Sequence, residues 1–179
     1  MNRNTCTRAR YTHAGFTLIE LLVAVVIIGV MMTIMVLAVG NTRADETKKA
    51  TARLAAVTEL ARQNALFNAE DLALSFWENG YAFHRYAEVN DAKGWMLLEE
   101  DEQLRPQSLG DDVSVTLYLE GIEVELDRQP KHKPQIFILS SGETTPFEAR
   151  IEDDQENVFV FSSDALGNLA VQDNREPAS

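Results

Sequence analysis

Glu20 is the single carboxylate inside the apolar run His13–Gly40, which reads HAGFTLIELLVAVVIIGVMMTIMVLAVG. An ionisable side chain in so apolar a segment is costly unless another charge meets it, so Glu20 is the first residue that calls for a partner. Other candidates for chemistry are weaker. His84 falls in a strand-like stretch and His132 in the basic loop RQPKHKP, and neither has Cys, His or Asp at a metal-ligand spacing. Ser140 and Ser141 lie in SSGETTPF, where no residue is nominated as a base and the pattern reads as a turn between strands. Acids cluster at Glu99-Glu100-Asp101-Glu102, Asp111-Asp112 and Glu152-Asp153-Asp154. Calcium favours such oxygen ligands, but the spacing is not distinctive and the clusters read as solvated loops. No G-x-S-x-G, phosphate-cradling glycine loop or zinc pattern is present. The expectation is a protein with no catalytic residues, no metal and no cofactor.

The element that positions Glu20 is the run itself. Leu21 to Val39 carry no charge, and Phe16 to Ile19 extend the apolar character upstream. As a helix, Phe16–Val39 spans about 36 Å at 1.5 Å per residue, enough for a bilayer core of about 30 Å. A secretory signal cleaved near Ala38-Val39-Gly40 is the alternative, but such signals have apolar cores of only about 7–15 residues and no use for a carboxylate there. Arg3, Arg8, Arg10 and His13 precede the run, whereas Asp45 and Glu46 accompany Arg43, Lys48 and Lys49 after it. The purely basic side stays in the cytoplasm, so the chain beyond about residue 41 is exported in a single pass.

The chain has 179 residues and a formal charge of −12; beyond residue 15 there are 13 basic and 28 acidic residues, or −15. Such a surface repels phosphates and excludes nucleic-acid binding through bulk electrostatics. Cys6, the only cysteine, precedes the run, so no disulfide forms within the chain and the position does not suit lipidation.

Residues 41–70 read as helix, with Ala50, Leu54, Val57, Ala61 and Ala65 as an apolar stripe and Asp45 and Lys49 spaced for an i,i+4 pair. From about residue 71 the period becomes two. Leu72, Leu74 and Phe76, a turn at Asn79-Gly80, then Tyr81, Phe83 and Arg85 predict a hairpin. GWMLLEE predicts another strand. Val113 to Leu119, a turn at Glu120-Gly121 and Ile122 to Leu126 predict a second hairpin, and PQIFILSSGETTPFEARIED and NVFVFSSDALGNLAV two more pairs. The fold class is α+β: a long N-terminal helix packed on an antiparallel β-sandwich head of about eight strands.

A basic leader ending in Gly15, followed by FTLIELLVAVVIIG, resembles the class III signal of type IV pilins and type II secretion pseudopilins. Gly15 stands where the residue before the cut stands, Phe16 at the N-methylated mature terminus and Glu20 at the fifth mature residue. The resemblance implies cleavage after Gly15 by prepilin peptidase, and a register-setting pair between Glu20 and the terminal amine of a neighbouring subunit. The bland alternative is that Glu20 snorkels to water near the helix start. The cysteine pair of type IV major pilins and the closing calcium loop of the major pseudopilin are both missing, while FILSSGETTPFEARI is similar to the H-type minor pseudopilins of type II secretion.

What this implies is a leader at 1–15, a membrane-spanning and filament-core helix at 16–40, an amphipathic helix at 41–70 and a periplasmic β head at 71–179. It further implies a minor subunit near the pseudopilus tip, in a piston-like filament that exports folded proteins across the outer membrane. Its partners would be other major and minor pseudopilins, the prepilin peptidase and the inner-membrane assembly platform, with no nucleic acid. A minor type IV pilin for pilus assembly, adhesion or DNA uptake is the alternative, and the acidic head disfavours its DNA version. A membrane-anchored periplasmic enzyme or binding module would need a catalytic constellation that the sequence does not contain.

Overall fold

The computed structural model describes residues 17–89, 92–129 and 133–174, with the side chains of 34–42, 89 and 92 left out. Cys6, the arginines and histidine of the leader, Gly15, Phe16 and His132 lie outside the described residues. By its contacts the chain divides into a first unit, Met1–Val39, and a second, Gly40–Ser179. Helix α1 (Leu18–Asn68) supplies the described part of the first unit and the opening of the second.

α1 ends for a reason visible in the backbone. Ala69 takes the left-handed conformation at φ 52°, and the N–H of Glu70 donates to the Ala65 carbonyl at 3.2 Å. That six-to-one closure satisfies a carbonyl the helix would otherwise leave open. In the second unit the buried face of α1 is formed by Ala44, Thr47, Thr51, Leu54, Thr58, Ala61 and Ala65, at alternating spacings of three and four. The expected stripe is thus correct at Leu54, Ala61 and Ala65, while Ala50 and Val57 sit at its margin. Threonines take the places that apolar residues were expected to hold. Thr51 Oγ1 donates to the Thr47 carbonyl at 2.9 Å and Thr58 Oγ1 to the Leu54 carbonyl at 2.8 Å, so their hydroxyls are bonded within the helix and can be buried.

Among the described residues ten strands follow, all paired antiparallel, in two sheets. The first sheet holds β1 (Leu72–Trp77), β2 (Gly80–Val89), β3 (Ala92–Leu97), β4 (Gln107–Ser108) and β7 (Ile136–Ile138). Its order is β3-β2-β1-β7, with β4 also on β2. The second runs β10 (Leu169–Asp173), β9 (Val158–Ser163), β8 (Phe147–Asp153), β5 (Val113–Leu119), β6 (Ile122–Val124). Leu72, Leu74, Phe76, Phe83, Ile136 and Ile138 from the first sheet meet Leu117, Phe147, Ala149, Ile151 and Phe161 from the second in one core that also takes Leu54, Ala61 and Ala65 of α1. Ring contacts cross between the sheets, Phe76 to Phe147 at 6.3 Å, and continue within the second, Phe147 to Phe161 at 5.1 Å.

Three details differ from the sequence reading. The β1–β2 loop is Glu78-Asn79, since Gly80 already pairs with Trp77. A Cβ on Gly80 would lie 2.2 Å from the Trp77 ring, so the glycine serves a close approach rather than the turn. β7 and β8 are not partners: β7 lies beside β1, and β8 between β5 and β9. The chain returns along β7 through the Ile138–Thr144 bridge, the Thr145 N–H to Phe137 carbonyl bond at 2.9 Å and the Phe137 N–H to Thr145 Oγ1 bond at 3.0 Å, without forming a strand there. Pro146 has no N–H with which to continue that ladder, and the chain passes to the other sheet. Finally, β1 is buried at every position, not on one face. The Trp95 ring on β3 and the Phe137 ring on β7 meet at 5.4 Å although β2 and β1 lie between their strands, so they roof over small residues such as Ala73.

Candidate functional site

The described part of the first unit begins at Thr17. The N–H of Glu20 donates to Thr17 Oγ1 at 3.4 Å and to the Thr17 carbonyl at 3.1 Å, which makes Thr17 the cap of α1 and Glu20 its third residue. Thr17-Leu18-Ile19-Glu20 has the T-x-x-E spacing of a capping box, a signal that the sequence reading passed over. A carboxylate in the first turn also faces the positive end of the helix dipole. The backbone therefore fixes where Glu20 stands: in the first turn, with every described side chain from 17 to 33 exposed. Leu18, at 88% exposure, and Val26, at 57%, illustrate a surface apolar all round, which in solution has nothing to bury against. Thr33 is accommodated in it by donating to the Gly29 carbonyl at 2.9 Å. Among the described residues no helix is long and apolar enough to cross a membrane.

At the start of the second unit a cleft is lined by Arg43, Glu46, Asp111, Asp112, Asp153 and Asp154. Two of the acidic clusters thereby meet in space. Arg43 fills the gap between them, bonded to Asp154 and, at 3.1 Å, to Asp112. The hydrogen bond and charge of Asp154, then the charge of Asp112, raise the guanidinium pKa further. Asp153 is occupied differently: its Oδ1 accepts the N–H groups of Gln155 at 2.9 Å and Asn157 at 3.0 Å and closes the β8–β9 turn. Asp101 likewise caps the turn at Gln103 and Leu104. Among the described residues no group of three His, Cys, Asp or Glu side chains could hold a metal ion.

His84 is wholly buried, and its Nε2 shares a hydrogen bond with Ser75 Oγ at 2.8 Å. Ser140 donates its N–H to Asp71 Oδ1 at 2.9 Å, and Ser141 Oγ accepts the Glu143 N–H at 3.5 Å. Both serines are thus engaged in shaping the turn after β7.

A capped helix with one acid at its apolar start, opening an α+β head of two antiparallel sheets, defines the pilin-like class. Residues 10–36, which include Gly15, Phe16 and Glu20, match the family described as "Prokaryotic N-terminal methylation motif". The chain is 30% identical to type II secretion system protein H of Pseudomonas aeruginosa, over 76% of this chain and 81% of that one. It is 27% identical to the Aeromonas hydrophila protein of the same name, over 93% and 97% respectively. The fold is that of the minor pseudopilin EpsH of Vibrio cholerae, with a TM-score of 0.62 at 20% identity over 74% of this chain and 99% of that one. The solution structure of Escherichia coli GspH gives 0.58 at 18%, over 74% and 92%. The chain belongs to the type II secretion system protein H family, the minor pseudopilins of that system.

Proposed function

We propose that the chain is a non-enzymatic structural subunit near the tip of the pseudopilus, where it helps a piston-like filament push folded proteins through the outer membrane. The apolar segment 16–40 anchors it in the inner membrane as a single pass and later enters the filament core, and the head 71–179 stands in the periplasm. Prepilin peptidase removes residues 1–15 by cutting after Gly15, and Phe16 becomes the N-methylated terminus. Glu20 then pairs with the terminal amine of a neighbouring subunit on the assembly platform, so that correct axial register satisfies a charge that wrong register leaves alone. Other major and minor pseudopilins are its partners.

The observation that carries this reading is Glu20 itself: one acid in the first turn of a helix whose other described residues to 33 are uncharged and exposed. The test is the mass of the chain purified from membranes. A species beginning at methylated Phe16 is expected, and an uncut chain, or one cut near Gly40, would overturn the processing.

A further inference from the structure

The β9–β10 turn presents a leucine to water on a rigid support. Asp164 Oδ1 accepts the N–H groups of Leu166 and Asn168, each at 2.9 Å, and Oδ2 accepts the Asn168 side-chain amide at 2.7 Å. Gly167 holds φ 79°, and a Cβ there would press on Arg62 and Thr144. The turn is fixed from within, yet Leu166 at its tip keeps 76% of its surface exposed. Turn tips favour small polar residues, and an apolar side chain carried on a backbone already held in place needs no loop ordering on binding.

Beside Leu166 lies a groove of about 430 Å³ walled by Phe137 and Leu139, with Thr144 in its lining. Thr144 is 5% exposed, and its Oγ1 has no hydrogen-bond partner among the described residues. From Phe137 the apolar surface continues through Trp95 to Tyr86, ring to ring at 5.4 and 5.1 Å. Exposed Tyr86, Phe137, Leu139 and Leu166, joined through the half-buried Trp95, have the composition of an interface anchor. The charges at the groove are acidic: Glu143 lines it and Asp164 carries the turn, its carboxyl held below the usual range by the bonds from Asn168. Arg62, which packs beside Gly167, is already bound through two nitrogens to Glu59, at 2.8 and 2.7 Å.

We propose that this surface docks another subunit of the filament, a folded protein that seats an apolar side chain against Leu139 and Leu166. That partner sets Lys or Arg over Glu143 and Asp164. A second copy of this chain does not fit, because it would bring the same acids to the contact on a chain whose net charge beyond residue 15 is again −15. The proposal rests on the reading of the chain as a minor pseudopilin and names the face it uses.

The test is made with the full chain in cells carrying the whole secretion apparatus. A photoreactive phenylalanine analogue is placed at Phe137, at Leu166 and, as control, at Ser114 on the polar face of β5. Positions 137 and 166 are expected to cross-link to one other pseudopilin, at a residue flanked by Lys or Arg, and position 114 is not. Leu166→Glu is expected to lower that cross-link and export about ten-fold, the scale of a lost hot-spot residue. The amount and processing of the chain stay unchanged, and Leu166→Met keeps both cross-link and export. A homodimer, a lipid adduct or the same product from position 114 would overturn the proposal, as would normal export with Leu166→Glu. Deleting the whole chain separates the two failures. Export lost on deletion but normal in Leu166→Glu rejects only the docking face, whereas export intact on deletion rejects the reading beneath it.

Discussion

Arg43 on α1 binds Asp154 in the turn after β8, and the same nitrogen lies 3.1 Å from Asp112 ahead of β5. One cation thereby ties the helix to both edges of an acidic cleft, and Lys48 adds a second tie to Asp173 on β10 at 3.3 Å. These pairs are largely open to water and are screened by salt. Arg43→Gln is expected to lower the melting temperature of a fragment from Thr42 onward at low ionic strength, with the difference vanishing near ~1 M salt. A loss independent of salt would mean that the arginine stem, not its charge, holds the helix.

Ala69 closes α1 at φ 52°, where a Cβ crowds the backbone. The left-handed conformation costs a non-glycine residue about 1–2 kcal/mol, and glycine gives back about 0.5–1 through its freer unfolded chain. Ala69→Gly should therefore stabilise the head by about 0.5–1 kcal/mol, read as a higher denaturant midpoint at unchanged slope. Destabilisation would show that the Ala69 methyl packs more than its strain costs.

Tyr81 is 2% exposed, and burial raises its hydroxyl pKa above the ordinary 10.0, with the Arg53 charge opposing. The unfolded tyrosine ionises first as pH rises, so the folded state binds the extra proton and loses stability from about pH 10 upward. Tyr81→Phe removes the linked proton and should flatten that alkaline fall in melts taken between about pH 8 and 12. An identical alkaline limb in both proteins would assign the fall to other groups.

The parts of this fold legible in the sequence are those where one periodicity dominates. β1, β2 and β5 announce themselves by alternation, and Glu120-Gly121 forms the expected turn with φ of 52° and 78° at its two residues. The left-handed pair suits the twist of the hairpin. Gln107-Ser108 is too short to carry a period, so β4 stayed hidden. Thr51 and Thr58 look like surface residues until their hydroxyls are found bonded within the helix. β7 and β8 look like partners because they are neighbours in sequence, and only Pro146 hints that the ladder breaks. Glu20 was legible as a residue out of place. Its geometry as the third residue of a capped helix was not, because the apolar run continues upstream through Phe16 and gives no period change at Thr17, where the helix begins.

That geometry sharpens the test of Glu20, since two roles now compete for it. In a capping box its side chain supports the helix start, a function that glutamine shares. In the filament assembly proposed above its charge would meet the amine of the next subunit, which glutamine would not replace. Removing the charge makes segment 16–40 no less apolar, so the membrane insertion proposed for it should not suffer in either variant. Glu20→Ala and Glu20→Gln are therefore both expected to be processed and inserted normally, then to be recovered in reduced amounts from filaments, with less cross-linking to neighbouring pseudopilins and less export. The loss should be similar in the two variants, because both lack the charge. Normal assembly of Glu20→Gln beside a defective Glu20→Ala would assign the residue to the cap. Normal assembly of both would leave Glu20 as an acid that reaches water at the membrane edge.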